Sequence, residues 1–212
     1  MLNELLKKTI IDVFLENVRL YPENPAVMDA RGAYTYDRLN RRSALLARKI
    51  LDAIGDGDRG NRRVAVLLPR SREYMTGMLA VIRAGCALVP LDSEYPTERI
   101  QAIQEDSEFR LFVTTAGLAE KTGGIPKLLI EEVIDEKEEK EAEIELNLSR
   151  PELEGLLVYT SGSTGKPKGV VHRQSVFCHY FALNKLANRP LPTEAIHLCM
   201  AGFTFIGCMF FM

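Results

Sequence analysis

Apolar and polar positions along the chain fall into two registers. Leu2, Leu5, Leu6, Ile10, Val13 and Phe14 recur at helical spacing and predict an amphipathic helix over 3–19, ending before Pro22. Residues 34–36 (YTY) are β-prone, and Leu39, Leu46 and Ile50 predict a second helix over 37–53, broken by Gly55, Gly57 and Gly60. A regular alternation follows. Residues 64–68 (VAVLL), 87–91 (ALVPL) and 111–115 (LFVTT) are apolar runs of strand length. Between them lie two helices, one capped by Ser71 and carrying Met75, Met78, Leu79 and Ile82, the other capped by Thr97 and carrying Ile100 and Ile103. Strand, helix, strand, helix, strand with short connections is the sequence form of a parallel sheet with right-handed crossovers. The fold class is α/β.

Residues 131–145 (EEVIDEKEEKEAEIE) are strongly acidic and suit a solvated helix or surface connection. A further strand over 156–159 leads into the most informative stretch: Thr160, Ser161, Gly162, Ser163, Thr164, Gly165, Lys166, Pro167, Lys168 and Gly169. Four hydroxyl side chains, three glycines and two lysines lie within ten residues, before an expected strand over 169–171. Glycine lets backbone turn and approach a ligand closely, and successive N–H groups in such a turn form an anion nest. Hydroxyls donate to phosphate oxygens and lysine adds a mobile point charge. The composition suits a polyphosphate, and also a ligand-free Ser/Gly turn. Neither common nucleotide fingerprint is present: a Walker A count from Gly162 puts Pro167 where its second glycine belongs, and there is no GxGxxG.

Residues 156–172 (LLVYTSGSTGKPKGVVH) resemble the phosphate-loop signature of the adenylate-forming superfamily, which includes acyl-CoA synthetases, luciferases and the adenylation domains of nonribosomal peptide synthetases. Residues 81–100 (VIRAGCALVPLDSEYPTERI) and 33–50 (AYTYDRLNRRSALLARKI) are similar to the second and first core motifs of peptide-synthetase adenylation domains, in that family's order. The resemblance implies an ATP-dependent ligase. A carboxylic acid attacks the α-phosphorus of ATP, and a thiol, on a phosphopantetheine carrier protein or CoA, then takes the acyl group. It implies β- and γ-phosphate binding by Thr160, Ser161, Gly162, Ser163, Thr164, Gly165, Lys166, Lys168 and Gly169, with Thr164 and Lys168 the foremost candidates for direct contact. Mg2+ is required with ATP, although no ligand for it stands out and no metal site is assigned. Phe205 and Ile206 would line the acid pocket, in a motif where Phe-Asp is usual. In amino-acid-activating relatives that Asp meets the substrate ammonium; a buried ammonium without a counter-charge is costly, so Ile206 favours an acid lacking an α-amine. A shifted register leaves amino acids open.

His172 follows Gly169 by three residues, a spacing more like acetyl-CoA-synthetase-type enzymes, and as a residue it reads as a strand-end histidine. Gly85, Pro90, Tyr95 and Pro96 read as strand–helix junctions. By resemblance the adenine-binding motif, the ribose-binding Asp and the catalytic Lys all lie beyond Met212. The expectation is therefore an incomplete large domain over 1–212, carrying the phosphate loop and inactive alone. A fragment of a standalone acyl-CoA synthetase and a non-catalytic remnant are the alternatives.

Composition adds exclusions. With 27 Lys+Arg against 29 Asp+Glu and 46% hydrophobic residues, the chain is an ordinary globular sequence with no reason to expect nucleic acid. Cys86, Cys178, Cys199 and Cys208 lack metal-site spacing and read as free thiols of a reducing compartment. The N-terminus makes a poor secretory signal, so a cytoplasmic location is expected. Residues 196–212 (IHLCMAGFTFIGCMFFM) carry no Asp, Glu, Lys or Arg, but are fewer than the roughly 20 a membrane helix needs, so no membrane partner is expected.

Overall fold

The computed structural model describes residues 7–55, 62–133, 144–161, 167–177 and 179; for Ser161 only the backbone is described. Helix α1 (Ile10–Leu20) is capped by Thr9, which interrupts the helix expected over 3–19; residues 3–6 of that expectation lie outside the described residues. The Thr9 hydroxyl accepts from the Asp12 N–H, and the Asp12 carboxylate accepts from the Thr9 N–H at 2.7 Å, a capping box. Strands β1 (Pro25–Asp29) and β2 (Gly32–Thr35) form an antiparallel hairpin. Thr35 then caps α2 (Tyr36–Ile54), whose Leu39, Leu46 and Ile50 are buried as their spacing predicts.

The central sheet contains β3 (Arg63–Leu67), β4 (Ala87–Leu91), β5 (Phe112–Thr114), β6 (Lys127–Leu129), β7 (Glu154–Ser161) and β8 (Pro167–Arg173) in the order β6-β5-β3-β4-β7-β8. Neighbours are parallel except β7 and β8. The expected α/β class and parallel core are therefore present. Helix α3 (Arg72–Arg83) joins β3 to β4 on one side, and α4 (Thr97–Ser107) carries the chain from β4 back across β3 to β5. Reversing direction places the two helices on opposite faces. Val64, Val66 and Leu88 pack with α2 and with Met78 and Val81 of α3. Ala65, Leu67, Val89 and Leu91 pack with Ile100 and Ile103 of α4. A 3-10 helix (Ala116–Thr122) and the short α5 (Ile130–Val133) flank β6.

One detail corrects the sequence reading, and a second, at Arg83, lies beyond it. Ser71 caps α3 as expected, its hydroxyl accepting from the Tyr74 N–H, but Thr97 is the first residue of α4 and Pro96 holds the cap position without a side-chain bond. Proline suits a helix start because it has no N–H to leave unpaired. Arg83, at the end of α3, is fully buried. Its guanidinium donates to Asn40 O (2.9 Å), Asn40 Oδ1 (2.7 Å), Ser43 Oγ (2.8 Å) and Leu146 O (2.8 Å), stapling the segment before β7 to α2. Burial lowers its pKa to about 10, which leaves it charged at neutral pH.

Candidate functional site: the β7–β8 hairpin and the sheet end beside it

Strand β7 starts at a fixed point. Arg63 at the head of β3 donates Nε to Glu154 Oε2 (2.9 Å) and Nη2 to Glu154 Oε1 (3.1 Å), a two-pronged bond that ties the two strands. At Gly155 the ladder shifts register, and an added Cβ would stand 2.8 Å from Gln174 Cγ, so only glycine lets the two hairpin arms close here. Above this base the partners are Leu156↔His172, Leu157↔Val171, Val158↔Val170, Tyr159↔Gly169, Thr160↔Lys168 and Ser161↔Pro167.

Directly opposed residues of an antiparallel pair share a face. Thr160 and Lys168 are thus side by side near the closed end of the hairpin, and both are exposed. Tyr159 and Gly169 share the opposite face, where the Tyr159 ring packs among Leu157, Ile100 and Ile103 and its hydroxyl donates to Asp106 Oδ2 at 2.6 Å. Burial raises the Tyr159 pKa, and the Asp106 bond raises it further, so the phenol stays protonated. His172 is half-buried and is the last residue but one of β8, near the strand end as its sequence suggests. Gly162, Ser163, Thr164, Gly165 and Lys166, and the pocket candidates Phe205 and Ile206, lie outside the described residues.

Strands β3, β4 and β7 run parallel, so their C-terminal ends open on the same side as the hairpin loop. The β4–β7 register is Leu88↔Leu156, and Pro90 above it has no N–H to extend the ladder. A cavity of about 270 Å³ lies over the ends of β3 and β4, lined by Leu68, Arg70, Tyr74, Leu91, Asp92, Ser93 and Glu94. Sequence reasoning missed it. The signal was available in the strand order, because the chain reverses direction between these two strands and such switch points form crevices. Lys121 fixes its rim, donating Nζ to Ser93 O (2.6 Å) and Tyr95 O (3.1 Å).

Cys86 is buried, which pushes its thiol up to about 12, so it is no nucleophile. The other three cysteines fall outside the described residues. Among the described residues no three His, Cys, Asp or Glu converge as a metal site, and no helix is long and apolar enough to cross a membrane.

Known proteins identify the family and the fold. Residues 14–212 match the family of AMP-binding enzymes. Gramicidin S synthase 2 of Aneurinibacillus migulanus is 34% identical over 199 residues, 93% of this chain and 4% of that protein. Tyrocidine synthase 3 of Brevibacillus parabrevis is 37% identical over 187 residues, 82% of this chain and 3% of that protein. The chain thus spans a small part of these relatives. The fold is similar to part of a nonribosomal peptide synthetase, FmoA3, in an AMPPNP-bound form, with a TM-score of 0.79 at 20% identity over 93% of this chain and 20% of that one. On the match over 14–212 and the identity to these synthases, the chain belongs to the AMP-binding enzyme family and is similar to the nonribosomal peptide synthetases within it.

Proposed function

We propose that this chain supplies the triphosphate grip of an adenylate-forming ligase, which activates a carboxylic acid as its acyl-adenylate. One observation carries the reading: the hairpin pairs Thr160 with Lys168 on one exposed face, at the root of a loop rich in glycine and hydroxyls. A hydroxyl donor beside a cation is the arrangement that phosphate oxygens accept. The resident bonds of the stem hold it in place before any ligand arrives, so little ordering is needed on binding.

In the reaction, an acid oxygen bonds to the α-phosphorus of ATP and the bond to the β-phosphate oxygen breaks, releasing pyrophosphate. Negative charge gathers on the departing phosphates. Lys168, Lys166 and the loop N–H groups stabilise it there, with Thr160, Ser161, Ser163 and Thr164 donating hydrogen bonds. Gly162 and Gly165 let the backbone approach. Mg2+ enters with the nucleotide, held on its phosphates as part of the substrate. The acyl group then passes to a thiol, and the likeness to peptide synthetases favours the phosphopantetheine arm of a carrier protein over CoA. Ile206, beside Phe205, leaves a substrate ammonium without a counter-charge and favours an acid lacking an α-amine. The 212 residues carry the phosphate grip, and binding without turnover is the behaviour we expect of them alone.

The test is calorimetric titration of this chain with MgATP and with inorganic tripolyphosphate. Both should bind, and the affinity should fall as salt rises, since the contact is charge on charge. Binding of adenosine with no binding of tripolyphosphate would overturn the reading. For the acid, a protein carrying this chain should exchange pyrophosphate into ATP with keto, hydroxy, aryl or fatty acids. Exchange driven by ordinary amino acids would refute the assignment from Ile206.

A further inference from the structure

The last glycine of the loop signature faces away from the cross-strand pair it follows. Thr160 and Lys168 occupy one face of the hairpin, while Gly169 lies opposite Tyr159 on the other. An added Cβ at Gly169 would stand 3.0 Å from Leu157 Cδ1, 3.1 Å from Tyr159 Cζ and 3.2 Å from Tyr159 Cε1. The missing side chain is therefore the space into which the Tyr159 ring fits. Beyond the ring, its hydroxyl reaches Asp106 Oδ2 at 2.6 Å, in the last turn of α4. A strand residue adjoining Thr160 is thus bolted to α4, on the face of the hairpin opposite Thr160 and Lys168.

That bolt matters because β8 is held by its ladder to β7 and by α4 packing against it, the helix to which the bolt runs. It is an edge strand paired only with β7 among the described residues, and Lys168 through Val171 are exposed. Hydrogen bonds to β7 fix its register but leave the hairpin free to twist as a ribbon. A twist at the stem moves Thr160 and Lys168, and displacements of about 1 Å are enough to degrade a charged contact geometry.

We propose that Tyr159, held by Asp106 and admitted by Gly169, is the positioning residue of the phosphate grip: it sets the twist of the hairpin and so where Thr160 and Lys168 stand. Gly169 then serves to seat the ring, not to approach a phosphate. This rests on the hairpin being the triphosphate grip.

The experiment is tripolyphosphate and MgATP affinity by calorimetry for the 212-residue chain and its variants, with thermal unfolding followed alongside. Tyr159→Phe keeps the ring and removes the bond, and should weaken binding about tenfold. Asp106→Leu should match it, and the double variant Tyr159→Phe with Asp106→Leu should be no weaker than either, because the two groups act as a unit. Asp106→Asn retains an acceptor oxygen and should stay within about threefold of the parent. Gly169→Ala should displace the ring and weaken binding about as much as Tyr159→Phe. Affinity is the readout that a purely structural bond would not move; the bond itself is reported by the alkaline absorbance transition of one phenol, delayed in the parent, which should come down in pH in Asp106→Leu and vanish in Tyr159→Phe.

The outcomes separate. A parent chain that binds tripolyphosphate while Tyr159→Phe binds it equally well overturns the positioning role and leaves the grip standing. Additive losses in the double variant also overturn it. A parent chain that binds neither ligand overturns the grip, and the positioning role with it.

Discussion

Strands β4 and β8 lie two places apart in one sheet, both carry consecutive apolar residues, and they are held by different forces. All five residues of β4 are buried, with Leu88, Val89 and Leu91 fully so. In β8, Val170 and Val171 are each 44% exposed. Burial places β4: apolar area leaves water on both faces, and the force is strong but has no direction. Directional contacts place β8, namely its ladder to β7, the seat at Gly169 and the Tyr159–Asp106 bond. The lesson is a division of labour. The core can be perturbed only at the expense of the fold, whereas the hairpin can be loosened while the fold survives, and there binding is the sensitive quantity.

The core side of that contrast breaks most severely. Leu67 is fully buried in β3 within the cluster that includes Ile100, Ile103 and Phe112. Leu67→Ala should cost about 2–5 kcal/mol through lost transfer energy and a cavity. Urea unfolding should show the midpoint falling with an unchanged slope. Next comes Arg83→Ala. It removes the donors to Asn40, Ser43 and Leu146 and leaves buried oxygens unpaired, at about 1–3 kcal/mol. It should also free the segment preceding β7, seen as faster amide exchange over residues 144–149. An Arg83→Ala chain as stable as the parent would mean that the staple is incidental.

Lys168→Ala sharpens the contrast from the hairpin side. Lys168 is exposed, so stability should stay within about 0.5 kcal/mol of the parent. Tripolyphosphate affinity should nevertheless drop about tenfold, the worth of one charge-assisted bond, and its salt dependence should flatten. Loss of stability with retained affinity would reverse the division of labour drawn above.

The same contrast explains what was legible in the sequence. Strands β3, β4 and β5 were readable as apolar runs because burial on both faces demands them. Strand β1 was not: PAVMD contains a proline and an aspartate and is half-exposed, so neither alternation nor a continuous run marks it. The phosphate loop was readable as chemistry because its composition is unusual over ten consecutive residues. Its supports were not, since Asp106 and Tyr159 stand 53 positions apart and Arg83 looks like any cation in the last turn of a helix. Local pattern reports what water and the backbone require of neighbours. It is silent on which distant side chain a buried donor will find.

The smallest effect lies outside the hairpin, in a second polar clamp that ties β1 to α3. Asp29 accepts from the Arg31 N–H at 2.8 Å, and Glu73 accepts from the Tyr34 hydroxyl at 2.9 Å and also pairs with Arg31. Three guanidiniums, from Arg38, Arg42 and Arg72, stack on the Tyr34 ring. Burial alone would raise both carboxyls. For Asp29 the bonds to Arg31 and to the Arg72 N–H outweigh it, and for Glu73 its own backbone N–H, Tyr34 and Arg31 do so, leaving both below their ordinary values of 3.8 and 4.5. A depressed carboxyl stabilises the fold above its ordinary pKa, where it is charged in both states, and that contribution disappears as pH falls through the lower folded value. Stability of the parent should therefore decline below about pH 4 more steeply than that of a Glu73→Gln chain. The difference should be small, because Arg31 is exposed and water screens the pair. Since the clamp's bonds join β1, β2 and α3 and none runs to Thr160 or Lys168, Glu73→Gln should leave tripolyphosphate affinity at neutral pH unchanged. A matching fall in affinity would show that the hairpin senses the clamp, and the independence argued for β8 would fail.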